Sequence, residues 1–477
     1  MSVRTRTRLG GVIAAVTVGV AILTPAAGAS ASATVVVNGD QHFQTIDGFG
    51  FAEAFQRAEI LHGSMGLSPA NQQRALDLLF STKDGAGFSI LRNGIGSSPD
   101  SSNDFMNSIE PVSPGSPDAK PTYVFDGSDS GQLWVSQQAE RRGVHQIYAD
   151  AWSAPGFMKT VGTDFGGGLL CGVTGTNCAT GDWRQAYANY LVQYLRFYQQ
   201  AGVHVTDVGF VNEPDLSEPY ASMLADGTQA ADFLKVFGPT LARSGLHTTI
   251  ACCDAAGWQE QADRLAGIKA QPQAYRYLGL VTAHGYVDPP AAPFDTNRHV
   301  WESEWADFNA FDPSWDDGTA ASGMTWAQRI QSALTTSDAN AFFYWWGAAA
   351  STANSDLIRL TGDTITTSKR LWAFASFGRF VRPGAVRIGA ASSDGDVTVS
   401  SFRNRDGSVV TQLINTGTAR TTETVQLHGV PAGSVTPFVT DDADSMAAQP
   451  AIRVHHGAFT ATVPARSIVT FVARGGR

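Results

Sequence analysis

Charge is scarce in this chain, and positive charge is scarcer than negative. Only 16% of the 477 residues are charged, and 33 lysines and arginines stand against 43 aspartates and glutamates, a net charge of −10. Such a balance argues against nucleic acid and anionic membranes as partners, because both are bound through excess positive charge. It leaves room for a neutral polymer, or for an acidic one gripped by a local arginine. With 43% hydrophobic residues, the composition is that of a folded, secreted type of protein. Cysteine is rare as well, with four in all. Cys171 and Cys178 flank a short Gly/Thr/Asn loop and are expected to form a disulfide outside the cell. Cys252 and Cys253 are adjacent in a strand-like run and are expected to be inert small core residues. Neither pair has zinc-ligand spacing. A Walker motif, His-Glu-x-x-His, a Gly-x-Ser-x-Gly elbow and a Rossmann fingerprint in a strand–helix context are all missing. Nothing calls for a metal, a nucleotide or any other cofactor.

Long apolar runs are missing too, except at the N-terminus. There Arg4, Arg6 and Arg8 precede the apolar stretch Leu9 to Leu23, and Ala31-Ser-Ala33 offers a small-residue cleavage site. Residues 1–33 thus read as a secretory signal peptide. A membrane anchor would need a longer run without the glycines and Pro25. Loss of the three arginines leaves 30 basic against 43 acidic residues, so −13. The mature protein is expected to be extracellular and monomeric, with no membrane span.

A chain of this length exceeds one ordinary core and implies a large domain plus a smaller one. Eight strand-like runs alternate with helical patterns: 43–51, 88–95, 146–152, 205–211, 248–253, 280–286, 299–304 and 340–346. Several are apolar on both faces, as parallel strands should be. Ser68-Pro69 opens a helix with Ser as N-cap and Pro at N1. Tyr187, Leu191, Tyr194 and Tyr198 form a helical stripe that reads as core packing. The fold class is therefore α/β, with a (β/α)₈ barrel over residues 43–382. After residue 383 short alternating strands take over, with Asp406-Gly407 as a hairpin signal. Residues 34–42 and 383–477 are expected to form an all-β sandwich. Two long loops, Gly96 to Tyr123 and Lys159 to Asp182, follow strands two and three and are expected to wall a cleft at the C-terminal ends of the barrel strands.

The chemistry rests on two carboxylates. The run Val208-Gly-Phe-Val ends in Asn212-Glu213-Pro214, and His299-Val-Trp ends in Glu302-Ser-Glu304. These are the ends of strands four and seven, so both should face one cleft. Two facing carboxyl groups suit a glycosidase, in which one protonates the leaving oxygen and the other attacks or activates water. Glu213 is the candidate acid/base, with Asn212 beside it to bond a sugar 2-hydroxyl. Glu304 is the candidate nucleophile. Glu302 is its rival, two residues earlier and on the same side of a regular strand. Glu304 is preferred because it lies nearer the strand end. Arg92 can hold a carboxylate ionised through a paired hydrogen bond. His284 and Tyr286, next to strand seven, can orient the nucleophile. Trp152, Trp301, Trp305, Trp345 and Trp346 offer flat faces for sugar rings, or core packing.

At these residues the chain resembles glycoside hydrolase family 30. The matching segments are Ile46-Asp-Gly-Phe-Gly50, Leu91-Arg92, Trp152-Ser-Ala-Pro-Gly-Phe-Met-Lys159, Phe210-Val-Asn-Glu-Pro214, Trp301-Glu-Ser-Glu304, Phe380-Val-Arg-Pro-Gly384 and Val463-Pro-Ala-Arg-Ser467. The resemblance implies a barrel with a side β-sandwich, Glu213 as acid/base, Glu304 as nucleophile, and retention of anomeric configuration. The family includes xylanases, β-1,6-galactanases, β-1,6-glucanases and glucosylceramidases. The opening Gly48 to Arg57 is similar to the fungal-type xylanase subgroup, which implies Arg57 as a grip for a glucuronic acid branch. A plain ion pair of Arg57 with a nearby acid is the other reading. The bacterial glucuronoxylanase subgroup has an arginine just after the strand-eight tryptophans. Here Trp345-Trp346 is followed by Gly-Ala-Ala-Ala350, which argues against strict dependence on glucuronic acid.

The expected function is a secreted retaining endo-β-glycosidase acting on plant polysaccharide, foremost β-1,4-xylan or glucuronoxylan. The alternatives are a β-1,6-galactanase or β-1,6-glucanase with the same machinery, and a non-catalytic carbohydrate-binding protein.

Overall fold

The computed structural model describes residues 33–100 and 106–474. The expected signal segment lies outside them, up to residue 32. Among the described residues no helix is long and apolar enough to cross a membrane.

Eight parallel strands close into a barrel: Gly48–Ala52, Ile90–Ile95, Gln146–Ala151, Asp207–Gly209, Thr249–Ala255, Leu280–His284, His299–Glu304 and Ala341–Ala349. They are called strands one to eight below. Strand eight pairs with both strand seven and strand one, which completes the ring. Helices cover the outside. Pro69–Phe80 starts as its sequence dictates, with the Ser68 side chain accepting the Asn71 N–H. In Arg184–Gln200 the tyrosine stripe is buried. The lower barrel interior is filled by a layer of Ile90, Tyr148, Ala251, Leu280, Trp301, Ala341 and Phe343.

The other sheet curls on itself and is antiparallel except at one pairing. Its backbone runs in the order Ser434–Thr440, Ser467–Arg474, Val409–Asn415, Val397–Arg403, Ala385–Ser392, Ala33–Ile46, Thr421–His428 and Ala458–Val463. The strand Ala33–Ile46 runs antiparallel to Ala385–Ser392 as far as Ile46 opposite Ala385. Residues 43–46 therefore belong to this sheet, and barrel strand one begins only at Gly48. The alternation of Phe43–Ile46 is the same in either sheet, so the sequence pattern does not mark the change at Asp47.

The sheet is fixed to the barrel by a shared core and by buried polar ties. Phe402, Val410, Ile414 and Ile468 join the barrel's hydrophobic cluster rather than their own. The Ser376 carbonyl, in the helix Lys369–Gly378, accepts from Thr470 at 2.9 Å and Gln412 at 3.2 Å. Arg466 forks onto Asp316, and its carbonyl accepts the Trp315 indole N–H at 2.6 Å. These contacts pack the side sheet firmly against the barrel.

Two cysteine pairs are bonded. Cys171–Cys178 closes the expected loop. Cys252 and Cys253 are not inert thiols, because they are bonded to each other.

Gly50 sits beneath the cleft, where an added Cβ would meet the Phe343 ring at 2.4 Å. That ring is already packed against Trp301, 5.4 Å between centroids. Gly50→Ala is expected to destabilise the protein by about 1–3 kcal/mol through overpacking, read as a lower urea midpoint at unchanged m-value.

Candidate active site

The cleft at the C-terminal ends of the barrel strands has a volume of roughly 800 Å³. Glu213 and Glu304 both line it. One carboxylate oxygen of each, together with a His284 ring nitrogen, form a set whose members all lie within 4.8 Å of one another.

Irregular backbone puts these groups there. Glu213 has φ 45° and Asp254 φ 53°, conformations that non-glycine residues seldom adopt and that collect at functional sites. The Glu213 N–H donates to the Asp254 carbonyl at 2.8 Å, so the two unusual residues hold each other. Strand five has a register shift between Cys253 and Ala255, and strand seven has one opposite the step from Ala283 to His284. The extra residues are Asp254 and Ser303. They meet across strand six, where the Ser303 hydroxyl donates to Asp254 at 2.7 Å. Bulges of this kind re-aim side chains. The strand-seven bulge also separates the two rival glutamates. A regular strand would turn Glu302 and Glu304 the same way; here Glu304 enters the cleft. Glu302 is fully buried beside Arg329 of the outer helix Gly323–Thr336. Burial raises its pKa well above the usual carboxyl range.

Arg92, fully buried in strand two, is the centre of the site. One terminal nitrogen donates to Glu304. The other reaches Asp150 at 2.9 Å, Asn212 at 2.5 Å and Asp254 at 3.3 Å. The expected paired bond to one carboxylate is thus replaced by a guanidinium shared among four acceptors. Gly209 leaves space for this, since a Cβ there would meet Asp150 at 2.0 Å. Tyr286 donates to the second Glu304 oxygen at 2.9 Å. His284 sits 3.2 Å from Glu213 and 3.3 Å from Asp254, so it serves the Glu213 side more closely than Glu304, which is 3.8 Å away.

The electrostatics follow from burial and these contacts. Burial opposes the charge on Arg92, but Glu304, Asp254 and Asp150 outweigh it and hold the pKa well above the ordinary value. Burial also opposes ionisation of Asp254, yet Arg92, His284 and Thr282 bring its pKa down to about 2. Asp150 shifts upward, chiefly by burial and then by Asp254, with Arg92 in partial opposition. Burial works against His284 as a cation, but Glu304, Asp254 and Glu213 lift its pKa to about 10. Glu304 is raised by burial and by Glu213, with His284 and Arg92 in partial opposition. The set Glu213, His284 and Glu304 has the compactness of a metal site. The positive charges of His284 and Arg92 oppose a cation there.

The cleft walls differ from expectation. Phe55, Trp152, Tyr220, Trp345 and Trp346 form a linked aromatic arc on one side. Tyr286 and Phe308 form a second, separate aromatic pair in the cleft lining. Among the described residues, none from the loops 96–123 and 159–182 lines the cleft. The second of these acts from behind: Gly166 donates to the Glu218 carbonyl, and Lys159 donates to the Ser222 carbonyl at 2.6 Å. It thus braces the loop after strand four, which carries Leu216, Pro219 and Tyr220 into the cleft. Trp301 and Trp305 are outside the cleft. Trp301 is in the lower barrel layer, its indole N–H on Asp47 at 2.8 Å, and Trp305 lies under the Arg329 guanidinium. Arg57 lies 4.1 Å over the Trp346 ring, at the cleft wall. Among the described residues it forms no ion pair within 4.0 Å, and Glu53 and Asp356 feel its charge from farther away.

Asp254, Asp150, Tyr148 and Ser303 were not foreseen. The available signal was a charged residue inside an apolar strand, in Tyr-Ala-Asp150-Ala and Ala-Cys-Cys-Asp254. Phe308 has no such signal.

Comparison with known proteins agrees with this geometry. Residues 132–310 match the Glycosyl hydrolase family 30 TIM-barrel domain, and residues 384–471 match the Glycosyl hydrolase family 30 beta sandwich domain. The chain is similar to the catalytic domain of GH30 xylanase C from Talaromyces cellulolyticus, with 43% identity, a TM-score of 0.87, and coverage of 92% of this chain and 100% of that one. It is 27% identical to an endo-1,6-β-D-glucanase of Aspergillus fumigatus over 79% of each chain. A Caenorhabditis elegans protein named as a glucosylceramidase is 26% identical over 58% of this chain and 57% of its own length.

Asp254 gives a pH prediction. Its pKa is about 2 in the fold against an ordinary 3.8, so its contribution to stability is complete above about pH 4 and is lost as pH falls toward 2. In Asp254→Asn the slope of unfolding free energy against pH is expected to be shallower in that window, by up to about 1.4 kcal/mol per pH unit, measured by urea titrations at several pH values.

Proposed function

The chain belongs to glycosyl hydrolase family 30, and from that premise we propose a secreted, retaining endo-β-glycosidase that cleaves plant polysaccharide, with β-1,4-xylan or glucuronoxylan as substrate. The observation that carries the mechanism is the close approach of Glu213 and Glu304, within 4.8 Å. Retaining enzymes keep their two carboxyl groups about 5–5.5 Å apart, with no space for a water between nucleophile and sugar.

In this reading Glu304 attacks the anomeric carbon and the glycosidic C–O bond breaks. Glu213 gives its proton to the leaving oxygen. Arg92 and Tyr286 orient one nucleophile oxygen each and keep its charge in place until the attack. Glu213 then takes a proton from water, whose oxygen displaces Glu304 and restores the original anomeric configuration. Asn212 gives its side-chain oxygen to Arg92, which leaves its amide N–H groups for a sugar hydroxyl. Arg57 supplies a cation at the cleft wall for a uronic acid branch, and Trp346 is the surface that holds it flat.

Xylan is favoured by the likeness to a xylanase over nearly the whole chain. The β-1,6-glucanase relative supports β-1,6-glucan as the second reading, with the same two glutamates. Parallel digests of glucuronoxylan, arabinoxylan, β-1,6-galactan and β-1,6-glucan, analysed by mass spectrometry, test the choice. Products from xylans alone are expected, and products only from a β-1,6 polymer would transfer the assignment to the second reading. Glu213→Gln is expected to slow cleavage by about 10² or more. Unchanged cleavage in that variant would remove Glu213 from the mechanism.

A further inference from the structure

A cleft that takes a sugar chain needs an open aromatic face, and the tryptophans do not supply one. Trp152 is 2% exposed and Trp345 6%. Arg92 lies 4.7 Å over Trp152, and Phe55 meets it edge-on. Trp346 carries Arg57 and stacks on Trp345, 5.0 Å between centroids. Within the arc Trp152 and Trp345 are thus buried, and Phe55, Tyr220 and Trp346 are half-buried.

Phe308 differs. It lines the same cleft and is 58% exposed. Its ring stacks on Tyr286, 5.6 Å between centroids and 30° between planes. Tyr286 in turn donates to Glu304, which fixes its own position. The Phe308 ring is thus backed on one side by an anchored tyrosine, and it is the most exposed large apolar side chain of the cleft. An apolar ring left in water within a cleft, with its plane already set, is a preorganised contact surface.

Resting on the glycosidase reading above, we infer that Phe308 is the sugar-stacking platform of the cleft. It takes a neutral pyranose ring lying outward of the sugar attacked by Glu304. The chemistry is the fit of axial C–H groups on an aromatic face, which needs no charge and no hydrogen-bond donor from the protein. Arg57 and Phe308 then divide the work: Arg57 selects acidic branches, and Phe308 holds the neutral backbone.

The test is steady-state kinetics of the wild type, Phe308→Ala and Phe308→Trp. The substrates are β-1,4-xylo-oligosaccharides and β-1,6-gluco-oligosaccharides of two to six sugars, and an alkyl β-xyloside series. On the longer oligosaccharides Phe308→Ala is expected to lose about ten-fold in kcat/KM, through KM, with a smaller loss on the shortest. Phe308→Trp is expected to restore most of it. An equal loss in kcat at every length would overturn the proposal in favour of a prop for Tyr286, and no loss would overturn it outright. A wild-type preference for long alkyl chains that disappears in Phe308→Ala would instead identify a lipid-like leaving group. If the wild type cleaves neither oligosaccharide series, the glycosidase reading fails and the platform with it.

Discussion

One buried guanidinium organises this molecule. Arg92 has no exposure, yet it touches Glu304, Asp150, Asn212 and Asp254, which come from strands three, five and seven and the end of strand four. A lone buried charge is intolerable in a barrel core, and a buried charge that loses its partners costs about 3–5 kcal/mol. The surrounding acceptors therefore have little freedom to leave. The same condition that keeps Arg92 soluble in the core keeps Glu304 where it is. Asp254 extends the arrangement by tying Arg92, His284, Ser303 and, through its carbonyl, the backbone of Glu213. Glu304 thus leans on Arg92 and Glu213 on Asp254, and those two residues are bonded to each other.

The fold contributes the geometry that such a network needs. Parallel strands in register place Arg92 beside Tyr148, and the register shift in strand seven brings Glu304 beside His284. A strictly regular barrel would still fail, since Ser303 and Glu304 both have to reach inward. The bulge in strand seven supplies that, and the bulge in strand five brings Asp254 to meet it. The side sheet, tied to the barrel through Arg466 and Ser376, adds no residue to the cleft among those described.

The sequence discloses the barrel well, because eight apolar runs separated by helical patterns admit few other folds. Glu213, Glu304, Arg92, Asn212, His284 and Tyr286 were legible for the same reason: each is polar where an apolar strand ends. What escaped was everything that depends on backbone irregularity or on packing in three dimensions. No residue pattern announces the bulge that separates Glu302 from Glu304. Trp301 and Trp152 sit in similar runs, but one lies in the lower barrel and the other in the cleft wall. Loop length showed that 159–182 mattered, but not that it works from behind the loop after strand four. The boundary at Asp47 was hidden because Phe43–Ile46 alternates equally well in either sheet.

The central claim is that Glu304, held by Arg92 and Tyr286, forms a covalent bond to the sugar. The most direct measurement is to trap that bond with a 2-deoxy-2-fluoro-β-xylobioside bearing a good leaving group, and to locate the label by peptide mass spectrometry. One added glycosyl group per chain is expected, on the peptide containing Glu304. A label on Glu302 or Glu213 would contradict the assignment. Hydrolysis of the probe to a fluorosugar of inverted anomeric configuration, with no labelled peptide, would contradict the mechanism itself.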